Sequence, residues 1–503
     1  MARTIRLTDA DNIVLAIDPL NAGDDVDEVR ATQRVPRGHK MAIRPIAKDA
    51  SVVKYGQVIG FAREDIAPGM WVHEHNVYVH AFDRDYQFGV DARPTPYVAP
   101  ERRRTFQGFR RASGKYGTRN YIAVLTSVNC SATASRFIAD QVNRSGILDD
   151  YPNIDGVISL VHGTGCGLDI HGEAYELLKR TQWGFATNPN VGGVLMVGLG
   201  CESFQIPRWM QSYGIREETT FRTLTIQEVG GTRKTVEAGV AAIHDMLAVV
   251  NEARRTQAPA SELMLALQCG GSDGYSGITA NPALGVAVDL LVAEGGTAIL
   301  SETPEIYGAE HLLMRRAESA EIGERLAERI RWWEGYTERH NMEMNNNPSP
   351  GNKAGGLTTI LEKSLGAAAK GGSTNLTGVF NYAEPVTAKG LVFMDTPGYD
   401  PVSATGQVAG GANVLCFTTG RGSAFGCKPT PSIKLASNSL IYEKMTEDMD
   451  INCGDILDGA TLPEKGEEIL QKILAVASGE RTKSEVLGYG DSEFVPWSIG
   501  ATM

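Results

Sequence analysis

The chain lacks the marks of several protein classes. No apolar run approaches the roughly 18 residues of a membrane span. The opening segment MARTIRLTDADN turns polar at once and has no apolar stretch of a secretory signal, which predicts a cytoplasmic protein. No Lys/Arg block occurs and the net charge is −12, so neither a nucleic-acid nor a membrane partner is expected. No CxxC pair is found among the seven cysteines, and no flavin or nicotinamide fingerprint is present. Both absences argue against a thiol-exchange or nucleotide-dependent redox protein. Internal repeats and low-complexity tails are missing too.

What is present is an ordinary globular balance, with 42% apolar and 21% charged residues over 503 positions. That length predicts two to four domains. Residues 1–90 carry short strands (NIVLAI, HKMAI, SVVKYG, VIGFA, WVHEHNVYVH) at close turn spacing, and predict a small β domain. Residues 91–110, rich in proline and arginine, predict a linker. Beyond it, apolar runs bounded by glycine alternate with helical segments. This predicts two α/β units with largely parallel sheets, over 111–258 and 259–503, the second with long Gly-rich loops. Ser131 is expected to cap a helix ending near Gly146. KTVEAGVAAIHDMLAVVNEAR and ALGVAVDLLVAEGG read as helices, and the charged stretch 309–340 as one long helix or a helix pair.

Four predicted strands finish at a cysteine: Cys130, Cys166, Cys201 and Cys269. In a parallel sheet all strand C-termini share one edge, where ligands bind. One sheet carrying all four would bring them together, although 36, 35 and 68 residues separate them in sequence. Thiolates so gathered suit iron, zinc or an iron–sulfur cluster. The plainer alternative is four small buried apolar side chains. Glu202 follows Cys201, and Ser272 and Asp273 follow Cys269. Glu302 ends another apolar run. Carboxylates at such positions are candidates for metal ligation or proton transfer. His162 reads as a bonded core histidine.

Two Gly-rich segments supply cations. NPSPGNKAGG contains Asn352 and Lys353 but lacks phosphate-loop spacing, so a carboxylate is the better guest. TTGRGSAFG places Arg421 after a strand, suited to a bidentate grip on a carboxylate. SETPEIYGAEH carries Glu302, Glu305 and Glu310, the last expected on a solvated helix face. His73 and His75, two apart on a strand, would share one face, and His39 could close over another domain's site.

These segments resemble a known family. RGHK with YGQVIG is similar to the small SAF domain of sugar-acid dehydratases. GLGCE, QCGGSDGYSGITANPALG, NPSPGNKAGG and FTTGRG resemble the catalytic part of altronate and galactarate dehydratases. The likeness runs through nearly the whole chain. VHEHN and ETPEIYGAEHLLM lean toward altronate dehydratase, although Trp71 stands where that pattern has histidine. The resemblance implies a hydro-lyase that removes water from a sugar acid, foremost D-altronate, to give a 2-keto-3-deoxy acid. It also implies a divalent metal, Fe2+ or alternatively Mn2+. Galactarate or another hexarate, a sulfolactate-type sulfo-lyase and a non-catalytic sugar-acid binder are the alternatives.

Dehydration of a 2,3-dihydroxy acid requires a base for the C2 proton, positive charge for the enediolate and help for the departing hydroxyl. The candidates are Glu202, Asp273 and Glu302 for proton transfer or metal ligation. Lys353 and Arg421, with Ser272 and Asn352, are candidates for holding substrate. The four cysteines are the first-choice metal ligands, as a mononuclear site or with three of them holding a cluster. His39, His73 and His75 would be the N-terminal domain's contribution. A homodimer is the default assembly.

Overall fold

A computed structural model describes residues 2–80 and 86–502; residues 81–85, within the stretch assigned from sequence to the N-terminal domain, lie outside that range. The chain is a mixed α/β protein with a strand-rich N-terminal region, as anticipated. Residues 4–78 form short antiparallel ladders, among them Ile13–Ala16 beside Lys40–Ala42, and Ser51–Lys54 beside Gln57–Ala62. They enclose a small core of Ile13, Val52, Ile59 and Val72, which continues into Leu365 and Ala368 of a later helix. No described helix is long and apolar enough to cross a membrane.

The middle region carries a parallel sheet of β1 (Tyr121–Thr126), β2 (Gly156–Leu160), β3 (Val191–Gly198) and β4 (Phe221–Thr225), in the order β2-β1-β3-β4. The C-terminal region carries seven parallel strands: β5 (Met264–Cys269), β6 (Thr297–Leu300), β7 (Leu376–Phe380), β8 (Gly390–Met394), β9 (Val414–Thr419), β10 (Ser432–Ala436) and β11 (Ile451–Asn452). Their order is β7-β8-β6-β5-β9-β10-β11. The chain runs from β5 to one side, then returns to β9 on the other, so β5 lies at a switch point, where ligand crevices form.

Strand periodicity decides which layers meet. In β1, Ile122 and Val124 face helices α1 (Ala132–Arg144) and α3 (Thr232–Val250). Ala123 and Leu125 face the opposite way, toward α2 (Glu173–Ala186). That second core is shared: α7 (Asp400–Ala409) and Ala266, Leu415 and Phe417 of the large sheet complete it. The far face of the large sheet packs on α4 (Ala280–Ala293), α5 (Ala320–Arg339) and α8 (Leu462–Ala477). The charged stretch 309–340 forms the short helix Glu310–Met314 followed by α5, and the helices read from sequence at 234–254 and 283–296 therefore form, as α3 and α4. So does α1, but Ser131 does not cap it: its hydroxyl donates to the carbonyls of Val128 and Val197.

Three further readings need correction. Thr105–Arg110, assigned to the linker, is a strand that pairs with Arg255–Pro259 and with Tyr116–Gly117. It ties the entry of the middle region to its exit. Glu310 is buried rather than solvated; its carboxylate accepts from Tyr86 Oη at 2.7 Å and from the Gly308 amide. The strand holding Trp71 stops at Val72, so His73 and His75 lie in a turn and do not share a strand face. Asn76 ends that strand by accepting from the His73 amide and donating to Trp71 O.

Candidate active site

The C-terminal edge of the seven-stranded sheet gathers a set of buried ionisable side chains. Cys269 ends β5, and Glu302 follows β6. Glu305 sits on the single turn Thr303–Ile306. Lys363 and Lys370 come from α6 (Ile360–Ala369) and its C-cap. They are seven residues apart, and two helical turns put both over the same edge. Asp400 opens α7.

The contacts are short. Lys370 Nζ lies 2.9 Å from Cys269 Sγ and 3.4 Å from Glu302 Oε2. Lys363 Nζ lies 2.6 Å from Glu305 Oε1, and Asn347 bridges the two, donating to Glu305 Oε1 at 2.7 Å. The thiol stands 3.6 Å from Glu305 Oε2 and 3.9 Å from Glu302 Oε2. A Cβ built on Gly270 would fall 2.3 Å from Asp400 Oδ2, which fixes how closely Asp400 approaches the end of β5. Glu302 holds a left-handed backbone at φ +70°, with its amide donating to Thr396 Oγ1. Strain of this kind in a non-glycine residue concentrates at functional sites.

Charge is divided unevenly within the set. Burial, then the neighbouring Glu305, push Glu302 well above the usual carboxylate range. Against burial, Lys363 and Lys370 hold Glu305 below that range. Burial raises the Cys269 thiol to about 12. Burial and Glu305 raise Asp400 to about 7. Carboxyls driven apart in this way can play acid and base roles in one site. Glu302 Oε1 is buried without a hydrogen-bond partner. Together with Cys269 and Glu305 it forms a triad whose donor atoms all lie within 4.8 Å of one another. A thiolate with two carboxylates, one oxygen still unclaimed, fits a divalent transition metal.

The N-terminal region roofs the neighbouring loops. Lys40 Nζ donates to Gly356 O and pairs with Glu362 at 2.8 Å; Lys54 pairs with the other oxygen of Glu362 at 2.8 Å. His39 Nδ1 accepts from Trp71 Nε1, so its Nε2–H is the side facing Ala354 O at 3.3 Å. His73 stacks on Trp71, and burial lowers its pKa to about 3.

Sequence comparison matches this three-part architecture to one family throughout. Residues 2–80 match the altronate/galactarate dehydratase SAF domain. Residues 108–251 match the second domain of D-galactarate dehydratase/altronate hydrolase, and 260–502 the D-galactarate/altronate dehydratase C-terminal domain. An altronate dehydratase of Bacillus subtilis is 34% identical, covering 96% of this chain and 97% of its own. The chain belongs to the altronate/galactarate dehydratase family. A galactarate dehydratase (L-threo-forming) of Escherichia coli is 37% identical over 95% of this chain and 93% of its own. The (2R)-sulfolactate sulfo-lyase subunit beta of Chromohalobacter salexigens is 32% identical over 78% of this chain and 97% of its own.

Within this family member, the residues singled out from sequence do not all meet in one place. Cys269 and Glu302 are in the buried set. Ser272, Asp273 and Arg421 lie on the loops beside it, and Asn352 and Lys353 on the short helix Pro350–Ala354 that packs against them. Asn352 donates to Ser272 O, Gly274 N–H to Gly355 O, and the Gly420 and Arg421 amides to Gly271 O. Arg421 is exposed, with no ion-pair partner among the described residues, whereas Lys353 pairs with Glu74 at 2.9 Å. Asp273 accepts from Tyr275 N, Ser276 N, Ser276 Oγ, Ser437 Oγ and Asn438 Nδ2. That network makes it a knot for the loops rather than a free base.

The expectation that four cysteines share one sheet edge is overturned. Cys130, Cys166 and Cys201 follow strands of the middle sheet, while Cys269 belongs to the other sheet and is buried. The chain leaves the middle sheet through Arg255–Pro259 and begins a new one at Met264. Glu202 stays with Cys201, accepting from Ser127 Oγ and from the Leu199 and Gly200 amides. His162 is buried with both ring nitrogens bonded, as expected. Sequence reasoning missed Lys363, Lys370, Asn347 and Asp400. Three charged side chains, Glu362, Lys363 and Lys370, in the largely apolar segment ILEKSLGAAAK were the available signal.

Proposed function

We propose that the chain is a hydro-lyase that dehydrates a sugar acid, foremost D-altronate, to a 2-keto-3-deoxy acid at the Cys269–Glu302–Glu305 edge. The observation that carries this reading is the buried pairing of three acids with two lysines at a sheet switch point, in a full-length relative of altronate and galactarate dehydratases.

Asp400, raised to about 7, is suited to take the C2 proton near neutral pH. The Lys363 and Lys370 ammonium groups face the negative charge that develops on the enediolate. Arg421, exposed at the rim, grips the substrate carboxylate, with Lys353 beside it once released from Glu74. The docked N-terminal region covers these loops and limits water. Cys269, Glu302 and Glu305 would hold the divalent metal, Fe2+ or Mn2+. When bound, it supplies Lewis-acid charge for the carboxylate or the departing hydroxyl.

The test is 2-keto acid formation from a panel of hexonates, hexarates and sulfolactate, with Fe2+ or Mn2+ supplied anaerobically. Altronate turnover is the expected outcome. A preference for galactarate would move the substrate within the family, and sulfite release from sulfolactate alone would sink the dehydratase reading.

A further inference from the structure

The three cysteines of the middle sheet stand apart from the other four. Cys130, Cys166 and Cys201 are exposed, whereas Cys269, Cys416, Cys427 and Cys453 are buried. Free cysteine ranks among the most buried residue types, so three exposed thiols on one edge call for a reason. They follow β1, β2 and β3, three adjacent parallel strands.

The loops that carry them are bound to one another. The Asn129 amide donates to Thr164 O at 3.0 Å, joining the loops of Cys130 and Cys166. The Phe204 amide donates to Gly165 O at 3.0 Å, joining those of Cys166 and Cys201. Ser127 Oγ donates to Glu202 Oε1 at 2.5 Å, closing the ring between Cys201 and Cys130. At Gly165, with φ +102°, an added Cβ would meet Ser127 O at 2.1 Å, so the Cys130 and Cys166 loops are in direct contact. Gln227 Nε2 already donates to Cys201 Sγ at 3.5 Å, the kind of contact that tunes a ligating sulfur.

The spacing separates the possible guests. Four sulfurs around one zinc or iron ion, with metal–sulfur bonds of ~2.3 Å, would stand only about 3.8 Å apart. Among the described residues, the one group of three candidate ligands with all donor atoms within 4.8 Å is Cys269–Glu302–Glu305, and these three thiols are not such a group. An iron–sulfur cubane spreads its thiolates more widely, because each binds a different iron.

We propose that Cys130, Cys166 and Cys201 hold a [4Fe–4S]-type cluster on the C-terminal edge of the middle sheet. Three thiolates bind three irons. The fourth iron faces the open side, where water or an anionic oxygen ligand completes it. This site is on a different sheet from the Cys269 set and does not depend on the assignment made there.

The test is anaerobic isolation of the full chain, or its reconstitution with Fe2+ and sulfide, followed by iron, acid-labile sulfide and visible absorption measurements. About four iron and four sulfide per chain, with a broad absorption shoulder, are expected. Cys130→Ser, Cys166→Ser and Cys201→Ser should each lose more than half of the sulfide at unchanged circular dichroism. Cys453→Ser and Cys269→Ser should keep it. Iron without sulfide, a disulfide among the three thiols, or sulfide retained in Cys166→Ser would each overturn the proposal.

Discussion

Replacing Glu362 by glutamine should loosen the N-terminal region from the rest of the molecule. One fully buried carboxylate holds two fully buried ammonium groups, Lys40 and Lys54, each at 2.8 Å. It also accepts from Thr358 N and Thr358 Oγ1. Glutamine keeps the shape and removes the charge. Breaking a buried ion pair from one side costs about 3–5 kcal/mol, because the remaining charge stays desolvated. At ~1.36 kcal/mol per tenfold, that corresponds to roughly a hundredfold to a few thousandfold more frequent opening. Native-state hydrogen exchange of the Ile13–Ala16 and Lys40–Ala42 amides reads this directly. Whole-chain melting does not, since several domains need not unfold together. The companion variant Lys40→Met/Lys54→Met/Glu362→Leu removes all three charges and should cost much less than the single change. Equal protection in Glu362→Gln and wild type, or a triple variant as open as the single one, would refute the reasoning.

Other outcomes follow from the same charges. Burial lowers Lys40 to about 8, below its unfolded value of ~10.4, so the folded state binds fewer protons between the two. Docking of the N-terminal region should therefore strengthen from about pH 8 to pH 10, and Lys40→Met should flatten that rise. Glu362 is held far below the usual carboxylate range by Lys40 and Lys54 against burial, so its contribution should persist as pH falls through 4. Asp400→Asn should lower kcat/KM by at least about a hundredfold and abolish the limb near pH 7 in the rate profile; a profile identical in shape to wild type would exclude it as the base. Arg421→Ala should raise KM far more than it changes kcat, measured with the preferred sugar acid. Chelation should remove activity that Fe2+ or Mn2+ restores, and metal uptake should release protons, because Cys269 and Glu302 are held protonated by burial.

Strand identity was readable before the structure because YIAVLT, GVISL, VGGVLMVG and LMLALQC are continuous apolar runs, the pattern of strands covered on both faces. Their common C-terminal edge followed from parallel pairing, and Cys130, Cys166 and Cys201 do follow three adjacent strands of one sheet. Sheet membership was not readable. Whether β5 continues the middle sheet or founds another depends on packing between α2 and α7, which involves residues more than two hundred positions apart. Cys269 was misplaced for that reason. Lys363 and Lys370 were overlooked because a helix carrying Glu362 and two lysines looks like a surface helix until its burial is known. Glu310 was misjudged similarly: its partners, Tyr86 Oη and the Gly308 amide, come from a distant segment and from a backbone turn.

Glu362 and Lys363 are consecutive, yet they point to different tasks. One carboxylate grips two lysines of the N-terminal region; the next side chain reaches Glu305 in the buried set. The first turn of α6 thus works as a latch shared by two rooms. A roof that lifts must pull on the floor, so the cover over the substrate loops and the charge balance beneath them are set by a single stretch of helix. The peptide connection between roof and floor then serves mainly to keep the two at high local concentration, while recognition between them resides in the latch.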